Sequence, residues 1–397
     1  MEFSQLKELD DKYILNSYKR YPLQVVSGKG VYVFDENGNK YLDFLGGIAV
    51  NALGYSHPKV IKAIKDQLEK LIHISNLFYT ETPVILAHKL CEISSMDKVF
   101  FCNSGAEANE LAIKLARLNS NSYSKDKTSL VCLNNSFHGR TIGSLTVTKN
   151  SSYAEKFLPL TGEAVFININ NVEELVNTVN DKTACIIIEP IQGEGGINLA
   201  SKDFLQQARC LADKYNALLI FDEVQAGLGR TGDYFSYQFS AVEPDIITIA
   251  KPLGAGLPIG AVLMKEKIAK MISYGDHGST FGANCVTTAS ALAFLEVIEQ
   301  DNLLENVKSV GNYLFNQLEN LRSSYSFIKE VRGRGLILGI ELEIPVGDIH
   351  LSLMKRGLIT NSTSERVIRL LPPYVITKNN VDEAISIIDG VFSEVKS

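Results

Sequence analysis

Hydrophobic and polar residues form two kinds of pattern along the chain, and these patterns predict helices and strands in alternation. Between about residues 84 and 265, segments with apolar residues at helical spacing alternate with short, almost wholly apolar runs. Such runs are typical of strands buried on both faces of a parallel sheet. The predicted helices cover residues 84–94, 105–118, 171–180 and 202–215, and the predicted strands cover residues 98–102, 129–133, 164–169, 184–190, 217–222, 245–250 and 259–264. This order predicts an α/β fold with a mostly parallel sheet wrapped by helices.

The two ends of the chain follow a different pattern. Apolar residues alternate over 31–34 and 41–44, and the Asn-Gly turn between these runs predicts a β-hairpin. Residues 286–322 predict one long helix or two abutting helices, with a break near Asp301. Further strands are predicted at 327–332, 336–342 and 366–370, and further helices at 58–71, 346–356 and 380–395. We therefore expect a large domain over residues 51–290 and a smaller α+β domain over residues 291–397, to which residues 1–50 contribute.

Composition and charge narrow the class of protein. The chain has 397 residues, of which 45% are hydrophobic, and a net charge of −6 without any basic block. Nucleic acid is therefore not a predicted partner. No basic and apolar leader is present at the N-terminus, and no apolar stretch approaches the roughly 20 residues that a membrane helix needs. Six cysteines without Cys-x-x-Cys spacing predict free thiols rather than a metal site. We expect a cytoplasmic protein.

Two predicted strands end in residues that can do chemistry. Asp222 ends the apolar run 217–222, and Lys251 follows the run 245–250. The carboxyl ends of parallel strands meet at one edge of the sheet, where ligands bind in open α/β folds. An amine and a buried carboxylate at one apolar crevice suit pyridoxal phosphate, because the amine can bind the cofactor aldehyde and the carboxylate can keep the pyridine nitrogen protonated. Taken alone, a loop cap and a surface lysine are alternative interpretations.

Two further strand ends carry residues suited to a flat, phosphorylated ligand. Gly105 and Ala106 open a helix after the strand 98–102, and free amides at a helix N-terminus favour an anion. Phe137 and Arg140 follow the strand 129–133, where an aromatic ring can stack on a cofactor and an arginine can bind a carboxylate. Ordinary capping by Ser104, core packing of Phe137 and a loop role for His138 remain alternatives.

A carboxylate pair and a glycine-rich turn complete the candidate site. Glu189 lies at the end of the strand 184–190 and Glu194 shortly after it, and a partner such as an arginine is expected because unpaired buried carboxylates are costly. Arg369 lies in an otherwise apolar strand and is a candidate for a second carboxylate clamp. The turn from residue 278 to 284 offers a hydroxyl to a phosphate through Thr280. Each feature alone also fits a structural role, but together they point to one site.

These motifs, in this order, resemble those of the class III pyridoxal-phosphate-dependent aminotransferases. The motifs are Ser104-Gly-Ala-Glu-Ala-Asn, Phe137-His-Gly-Arg-Thr, Glu189-Pro-Ile-Gln-Gly-Glu-Gly-Gly, Phe221-Asp-Glu-Val-Gln-Ala-Gly-Leu-Gly-Arg-Thr-Gly, Lys251-Pro-Leu-Gly and His277-Gly-Ser-Thr-Phe-Gly. The resemblance extends from about Tyr18 to the tail. It implies the fold type I of the aspartate aminotransferases, with pyridoxal 5'-phosphate as cofactor.

The resemblance also implies roles for individual residues. Lys251 would bind the cofactor and move the substrate proton, Asp222 would pair with the pyridine nitrogen, and Thr280 would reach the phosphate from the other subunit of a homodimer. The stretch 75–79 would likewise reach the partner's site. The implied cofactor-binding residues are Ser104, Gly105, Ala106, Phe137, His138, Asp222, Val224, Gln225, Lys251 and Thr280. The implied substrate-binding residues are Arg140, Glu194, Arg369, Ser279 and Ile48, with no metal.

Within this family the expected activity transfers the side-chain amine of N2-acetylornithine to 2-oxoglutarate, a step of arginine biosynthesis. Ile48 stands where members that act on free ornithine usually carry an aromatic residue, and it points toward an N-acylated donor. The alternatives are ornithine, 4-aminobutyrate, succinylornithine, succinyldiaminopimelate or a carrier-linked lysine as donor. A racemase or mutase with the same cofactor, and a binding protein without catalysis, are rival hypotheses.

Overall fold

The computed structural model describes residues 1–149 and 151–395, without the side chains of residues 151 and 152. The strands in this part of the chain are β1 (Val25–Lys29), β2 (Tyr32–Asp35), β3 (Lys40–Asp43), β4 (Lys98–Cys102), β5 (Ser129–Leu133), β6 (Glu163–Ile167), β7 (Thr183–Ile188), β8 (Ile191–Gln192), β9 (Asn198–Leu199), β10 (Leu218–Asp222), β11 (Ile246–Ile249), β12 (Gly260–Met264), β13 (Ile328–Arg334), β14 (Ile337–Leu342), β15 (Leu358–Ile359), β16 (Asn361–Thr363) and β17 (Val367–Leu370).

The α-helices lie between these strands and at both chain ends. They are α1 (Phe3–Tyr13), α2 (Gly46–Ala49), α3 (Pro58–Lys70), α4 (Glu81–Glu92), α5 (Gly105–Asn121), α6 (Ile142–Thr146), α7 (Ser151–Ala154), α8 (Val172–Thr178), α9 (Lys202–Lys214), α10 (Glu266–Ala269), α11 (Cys285–Gln300), α12 (Leu303–Ser324), α13 (Ile349–Lys355) and α14 (Lys378–Phe392). None of the helices in the described ranges is long and apolar enough to cross a membrane.

A seven-stranded sheet forms the centre of the molecule. Its strand order is β4-β12-β11-β10-β7-β5-β6, and only β12 runs against its neighbours. Leu218 and Ile220 of β10 belong to one hydrophobic cluster, while Leu219 and Phe221 belong to another. Since successive side chains of a strand point to opposite faces, β10 is buried on both sides of the sheet. The expected mostly parallel sheet wrapped by helices is confirmed.

The strand order brings distant parts of the sequence to one edge. Strands β4, β11, β10, β7 and β5 all run in the same direction, so their carboxyl ends share the edge where the candidate residues were expected. Each helix and strand predicted between residues 84 and 265 is present, although some ends differ; α4, for example, begins at Glu81 rather than at 84. The short elements α6, α7, β8 and β9 were not predicted, because a segment of two to five residues is too short to show a repeating pattern of apolar positions.

The chain ends form two smaller sheets. One has the order β1-β2-β3-β15, in which β15 pairs in parallel with β3 through Leu358 and Leu42. The other has the order β13-β14-β17-β16 and holds Arg369 in β17. The predicted hairpin is confirmed as β2 and β3, and the predicted break near Asp301 separates α11 from α12. The domain boundaries at residues 50 and 290 stay a prediction. The pairing of β15 with β3 is in line with the expectation that residues 1–50 contribute to the smaller domain.

Helix α2 is a single left-handed turn. Gly46, Gly47, Ile48 and Ala49 have φ angles of 58°, 62°, 61° and 65°. The amide of Val50 donates to the carbonyl of Gly46 at 2.8 Å, so the turn is closed by a hydrogen bond. Left-handed backbone costs about 1–2 kcal/mol at each residue that has a Cβ, and a β-branched residue there is an outlier. Strain of this kind concentrates at functional segments, and this segment carries the candidate residue Ile48.

Candidate active site

A cavity of about 260 Å³ opens at the carboxyl edge of the central sheet. It contains side chains from all five of the strand ends that were predicted to meet. Its lining consists of Gly105, Ala106, Asn109, Phe137, His138, Gly139, Arg140, Glu189, Asp222, Val224, Gln225, Ala250 and Lys251. The predicted acid and amine therefore face one crevice, together with the predicted aromatic ring and the N-terminus of α5.

The Asp222 carboxylate is held by three donors. Its Oδ2 atom lies 2.7 Å from His138 Nδ1 and accepts a hydrogen bond from Asn109 Nδ2 at 2.8 Å, while its Oδ1 atom accepts the Val224 amide at 3.0 Å. Asn109 is in turn fixed by Thr248, whose hydroxyl donates to Asn109 Oδ1 at 2.8 Å. These hydrogen bonds satisfy both oxygens of the buried carboxyl group and fix its orientation.

His138 is a buried partner of this carboxylate. Burial alone would lower the pKa of His138, but the hydrogen bond and charge of Asp222 raise the pKa above its usual value. The other ring nitrogen, Nε2, is buried without a hydrogen-bond partner among the described residues. His138 therefore contacts the Asp222 carboxylate through Nδ1 in the wall of the cavity, and its cofactor-binding role stays a prediction.

Lys251 lies directly after β11, on the neighbour of the strand that carries Asp222. Burial lowers the pKa of its amine, and the positive charge of Arg369 lowers it further. The carboxylates of Glu194, Asp222 and Glu189 act in the opposite direction without reversing the shift. A lysine with a lowered pKa is neutral more of the time, which is the form that attacks an aldehyde and accepts a proton.

The N-terminus of α5 forms one wall of the cavity. The Ser104 side chain caps the helix by accepting the Glu107 amide at 3.2 Å. A Cβ atom at Gly105 would lie 2.8 Å from Val224 Cγ1, so only glycine lets these two segments meet. The amides of the first turn remain available to an anion, and the helix dipole favours one. Both expectations for Ser104, as a cap and beside an anion site, are compatible with this arrangement.

Glu189 is a buried carboxylate of the cavity that lacks the arginine expected for it. Its Oε2 atom accepts the Phe137 amide at 3.0 Å, and its Oε1 atom accepts the Gly193 amide at 3.3 Å. Burial raises the pKa of Glu189 to about 7, although the charge of His138 and the two amides oppose the shift. Backbone donors thus take the place of the predicted ion pair, and Glu189 ties the end of β5 to the turn after β7.

The arginine partner belongs to Glu194. Arg369 Nη1 lies 2.6 Å from Glu194 Oε1, and it also donates to Gly193 O at 2.9 Å and to Gln225 Oε1 at 3.0 Å. Burial would raise the pKa of Glu194, but Arg369 lowers it to about 2. Arg369 is fully buried, and its Nη2 atom has no hydrogen-bond partner within the described part of the chain. Gln225 connects this ion pair to the cavity, because its Nε2 atom donates to Glu194 at 3.1 Å.

Arg140 is the exposed cation of the cavity. Its guanidinium carbon lies 5.4 Å from the ring centre of Phe137 and 3.6 Å from that of Tyr153. Within the described residues, no carboxylate lies at ion-pair distance from it, in contrast to Arg369. The site therefore has two arginines in different states, one buried in an ion pair and one open to solvent.

Besides Ser104 and the Glu194–Arg369 pair described above, three predicted residues lie outside the lining of the cavity in their own chain. Thr280 is exposed, and Ser279 Oγ accepts a hydrogen bond from Asn103 Nδ2 at 3.2 Å at the rim of the same helix N-terminus. Ile48 lies on the left-handed turn α2 and is 38% exposed. Within one chain, these three residues do not line the cavity. The cavity of a single chain therefore does not show the cofactor role suggested for Thr280 or the substrate roles suggested for Ser279 and Ile48. Their roles stay predictions.

Sequence reasoning missed two residues of the site, Asn109 and Tyr153, and the contacts that hold Glu189. Asn109 follows Gly105 by four residues and therefore lies on the same face of α5, a spacing that could have revealed it. The partners of Glu189 are backbone amides, which leave no signal in the sequence. Tyr153 lies 13 residues after Arg140 in the chain, and no periodic pattern links the two positions. Contacts of these last two kinds follow from tertiary structure alone.

The lining fits pyridoxal phosphate. The cavity contains a carboxylate with fixed orientation, a lysine of lowered pKa, an aromatic ring and a valine in its walls, and free amides at a helix N-terminus. These groups match the pyridine nitrogen, the aldehyde, the two ring faces and the phosphate of that cofactor, respectively. The glycine at position 105, where a Cβ would collide with Val224, keeps the phosphate end of the cavity open.

Comparison with known proteins places the chain in a family. The model of the family described as Aminotransferase class-III matches residues 13–392. The acetylornithine aminotransferase of Methanocaldococcus jannaschii is 50% identical over 390 residues, which cover 98% of each chain. The acetylornithine aminotransferase of Elizabethkingia anophelis has 34% identity and a TM-score of 0.89, with 99% of both chains covered.

A second solved structure is similar in fold and informative about the cofactor. It is an ornithine aminotransferase of Toxoplasma gondii with partial occupancy of PLP at its active site, and it has 33% identity and a TM-score of 0.95 over 99% of this chain and 95% of that one. The close overlap confirms the fold type that the sequence motifs led us to expect. The chain belongs to the class III aminotransferases, a family of pyridoxal-phosphate-dependent enzymes.

Proposed function

We propose that this aminotransferase transfers the side-chain amine of N2-acetylornithine to 2-oxoglutarate, forming N-acetylglutamate 5-semialdehyde and glutamate. The observation that carries the proposal is the pairing of Glu194 with Arg369 beside the crevice of Lys251 and Asp222, together with a second arginine, Arg140, in the lining of that crevice, which has no ion pair among the described residues. Such a site can accept a donor with one carboxylate and an acceptor with two. A racemase or mutase has no need for this arrangement.

When bound, pyridoxal phosphate supplies an electron sink for the charge left when a proton leaves the carbon next to the substrate amine. Asp222 would pair with the pyridine nitrogen and favour its protonated form, since His138 and Asn109 hold the carboxylate in a fixed orientation. Phe137 and Val224 would bind the two ring faces. Lys251, with its lowered pKa, would accept the substrate proton and return it to the cofactor.

The two arginines would divide the substrate carboxylates between them. Arg140 would bind the single α-carboxylate of the donor, while Glu194 neutralises Arg369. With 2-oxoglutarate, the second carboxylate would displace Glu194 from Arg369. Arg369 Nη1 would keep its contacts with Gly193 O and Gln225 Oε1, so the guanidinium would stay in place while its free Nη2 atom binds the substrate.

The choice of donor rests on two independent observations. Relatives with 50% and 44% identity over nearly the whole chain are named acetylornithine aminotransferases. Ile48 presents an apolar side chain from a strained turn, and free ornithine would bring an additional ammonium group that isoleucine cannot pair. The similar Toxoplasma gondii structure is an ornithine aminotransferase, so free ornithine is the second candidate donor.

A titration of the donor half-reaction tests this proposal. Single donors are added to the protein loaded with pyridoxal phosphate, without 2-oxoglutarate, and the loss of the visible absorbance of the lysine-bound cofactor is followed. We expect N2-acetylornithine to act at a concentration at least about tenfold lower than ornithine or 4-aminobutyrate, a difference within reach of an apolar pocket. Preference for free ornithine would overturn the donor assignment. If none of the ω-amines reduced the absorbance, transamination would be contradicted.

We further propose that two chains form a homodimer in which Thr280 of each completes the phosphate site of the other. Thr280 does not line the cavity of its own chain, and its neighbours form an exposed apolar patch of Leu77, Phe78, Tyr79 and Phe281, with 86%, 61%, 102% and 61% exposure. Asn76 ties the two parts of the patch, since Nδ2 donates to Gly282 O at 2.9 Å. A patch of this kind is typical of an interface.

Mixing two inactive variants tests the shared site. In Thr280→Glu the added carboxylate repels the cofactor phosphate, and Lys251→Ala removes the amine. A mixed dimer contains one site with both the native Lys251 and the native Thr280, so activity should appear on subunit exchange between the two inactive proteins. Sedimentation should give twice the chain mass of 43.7 kDa. A mixture that exchanges subunits but stays inactive, or a monomer with full activity, would contradict the proposal.

A further inference from the structure

Arg140 is exposed, and a long exposed side chain loses rotamer freedom when it binds a carboxylate. The backbone after it is already fixed, because Glu110 Oε1 accepts hydrogen bonds from the Thr141 hydroxyl and, at 3.0 Å, from the Ser144 amide. The side chain itself has no carboxylate partner within the described residues. The contacts of the guanidinium that the structure describes are instead with aromatic rings.

Tyr153 supplies the closer of these contacts. The Arg140 guanidinium carbon lies 3.6 Å from the centre of the Tyr153 ring, a distance at which the two planar groups are in van der Waals contact. Tyr153 also meets Phe137, with ring centres 6.1 Å apart and planes at 85°, an edge-to-face arrangement. Phe137 is anchored in turn through its amide, which donates to Glu189.

We propose that Tyr153 is a positioning residue that orients Arg140 for the substrate carboxylate. Stacking covers the face of the guanidinium and leaves the N–H groups at its edge available for two parallel hydrogen bonds. Tyr153 thereby restricts the rotamers of Arg140 before the substrate binds. It does so without occupying any of the hydrogen-bond donors of the guanidinium. This inference rests on the proposed function only in the role that it gives to Arg140.

A pair of donors separates this role from a general effect on the site. N-acetylputrescine is N-acetylornithine without its carboxylate, so it reacts without any help from Arg140. In Tyr153→Leu, we expect the second-order rate constant for the half-reaction with N-acetylornithine to fall about tenfold, and that with N-acetylputrescine to stay within about twofold of the unchanged protein. Tyr153→Phe keeps the ring and should retain both rates.

A binding measurement gives a readout that does not depend on turnover. Glutarate has two carboxylates but neither an amine nor a ketone, and calorimetry on the cofactor-loaded protein gives its dissociation constant. We expect Tyr153→Leu to weaken glutarate binding by the same factor of about ten, and Tyr153→Phe to leave it unchanged. In an Arg140→Lys background, which lacks the planar group, Tyr153→Leu should have little further effect on either measurement.

The outcomes distinguish the inference from the proposed function. Equal losses with both donors in Tyr153→Leu would overturn the inference, because Tyr153 would then support the cofactor or the fold. Unchanged rates and glutarate binding in Tyr153→Leu would also overturn it. Should the unchanged protein react better with another donor, the proposed function fails, and the same comparison with that donor and its decarboxylated amine still tests Tyr153. If Tyr153→Leu does not fold, glutarate binding by Tyr153→His, which keeps a planar ring, must remain near the native value.

Discussion

Replacing Lys251 by alanine is expected to lower kcat by at least about 10⁴-fold, because the variant loses both the amine that binds the cofactor and the base that moves the substrate proton. The cavity should still bind pyridoxal phosphate through Asp222, Phe137 and the N-terminus of α5. The visible absorbance of the lysine-bound cofactor should disappear, while the free aldehyde remains detectable after denaturation. Absorbance spectroscopy and steady-state kinetics on the purified variant provide the measurement.

Lys127 provides a matched control. Burial lowers the pKa of this lysine as it does for Lys251, but its Nζ atom donates to the carbonyl of Tyr215 at 2.7 Å and lies outside the cavity. Lys127→Ala should therefore lower the free energy of unfolding by about 1–3 kcal/mol, because the Tyr215 carbonyl loses its donor. Its kcat and its cofactor absorbance should stay near the native values. Retention of the native absorbance in Lys251→Ala would contradict the assignment. Loss of absorbance in a folded Lys127→Ala would show that the effect is not specific.

Much of the site could be predicted because strand ends leave a clear signal. A short apolar run followed by a polar residue identified Asp222 and Lys251 as the ends of buried strands, and β10 and β11 confirm both. Parallel strands place such ends at one edge whatever their order in the sheet. The prediction therefore did not require knowledge that β12 lies between β4 and β11.

The remaining parts of the site depend on contacts between distant residues. The Glu189 carboxylate meets the amides of Phe137 and Gly193, and no sequence pattern marks which amides a carboxylate will find. The left-handed turn at α2 contains Ile48 and Ala49, residues that avoid this backbone conformation in isolation. Propensity predicts the opposite there, so only the surrounding structure determines the turn. The same reasoning explains why Tyr153 escaped notice.

Replacing Asp222 by asparagine is the second change with a large expected effect. The carboxylate has two acceptor oxygens, and its three donors are His138 Nδ1, Asn109 Nδ2 and the Val224 amide. An asparagine has one acceptor oxygen, so its amide group would face at least one of these donors. The neutral side chain would also no longer favour a proton on the pyridine nitrogen. We expect kcat to fall by about 10²–10⁴-fold and the cofactor to dissociate more easily.

Glu223, the adjacent residue in the chain, is the control for this prediction. It is fully buried like Asp222, but its carboxylate accepts the amides of Ser236 and Tyr237, both at 2.9 Å, and does not line the cavity. Glu223→Gln should lower the free energy of unfolding by about 1–3 kcal/mol and leave kcat near the native value. A similar loss of kcat in both variants would mean that packing after β10, rather than the charge of Asp222, supports catalysis. A loss confined to Asp222→Asn would assign the effect to the carboxyl group that faces the cofactor, since both changes replace a buried carboxyl group by an amide, one residue apart.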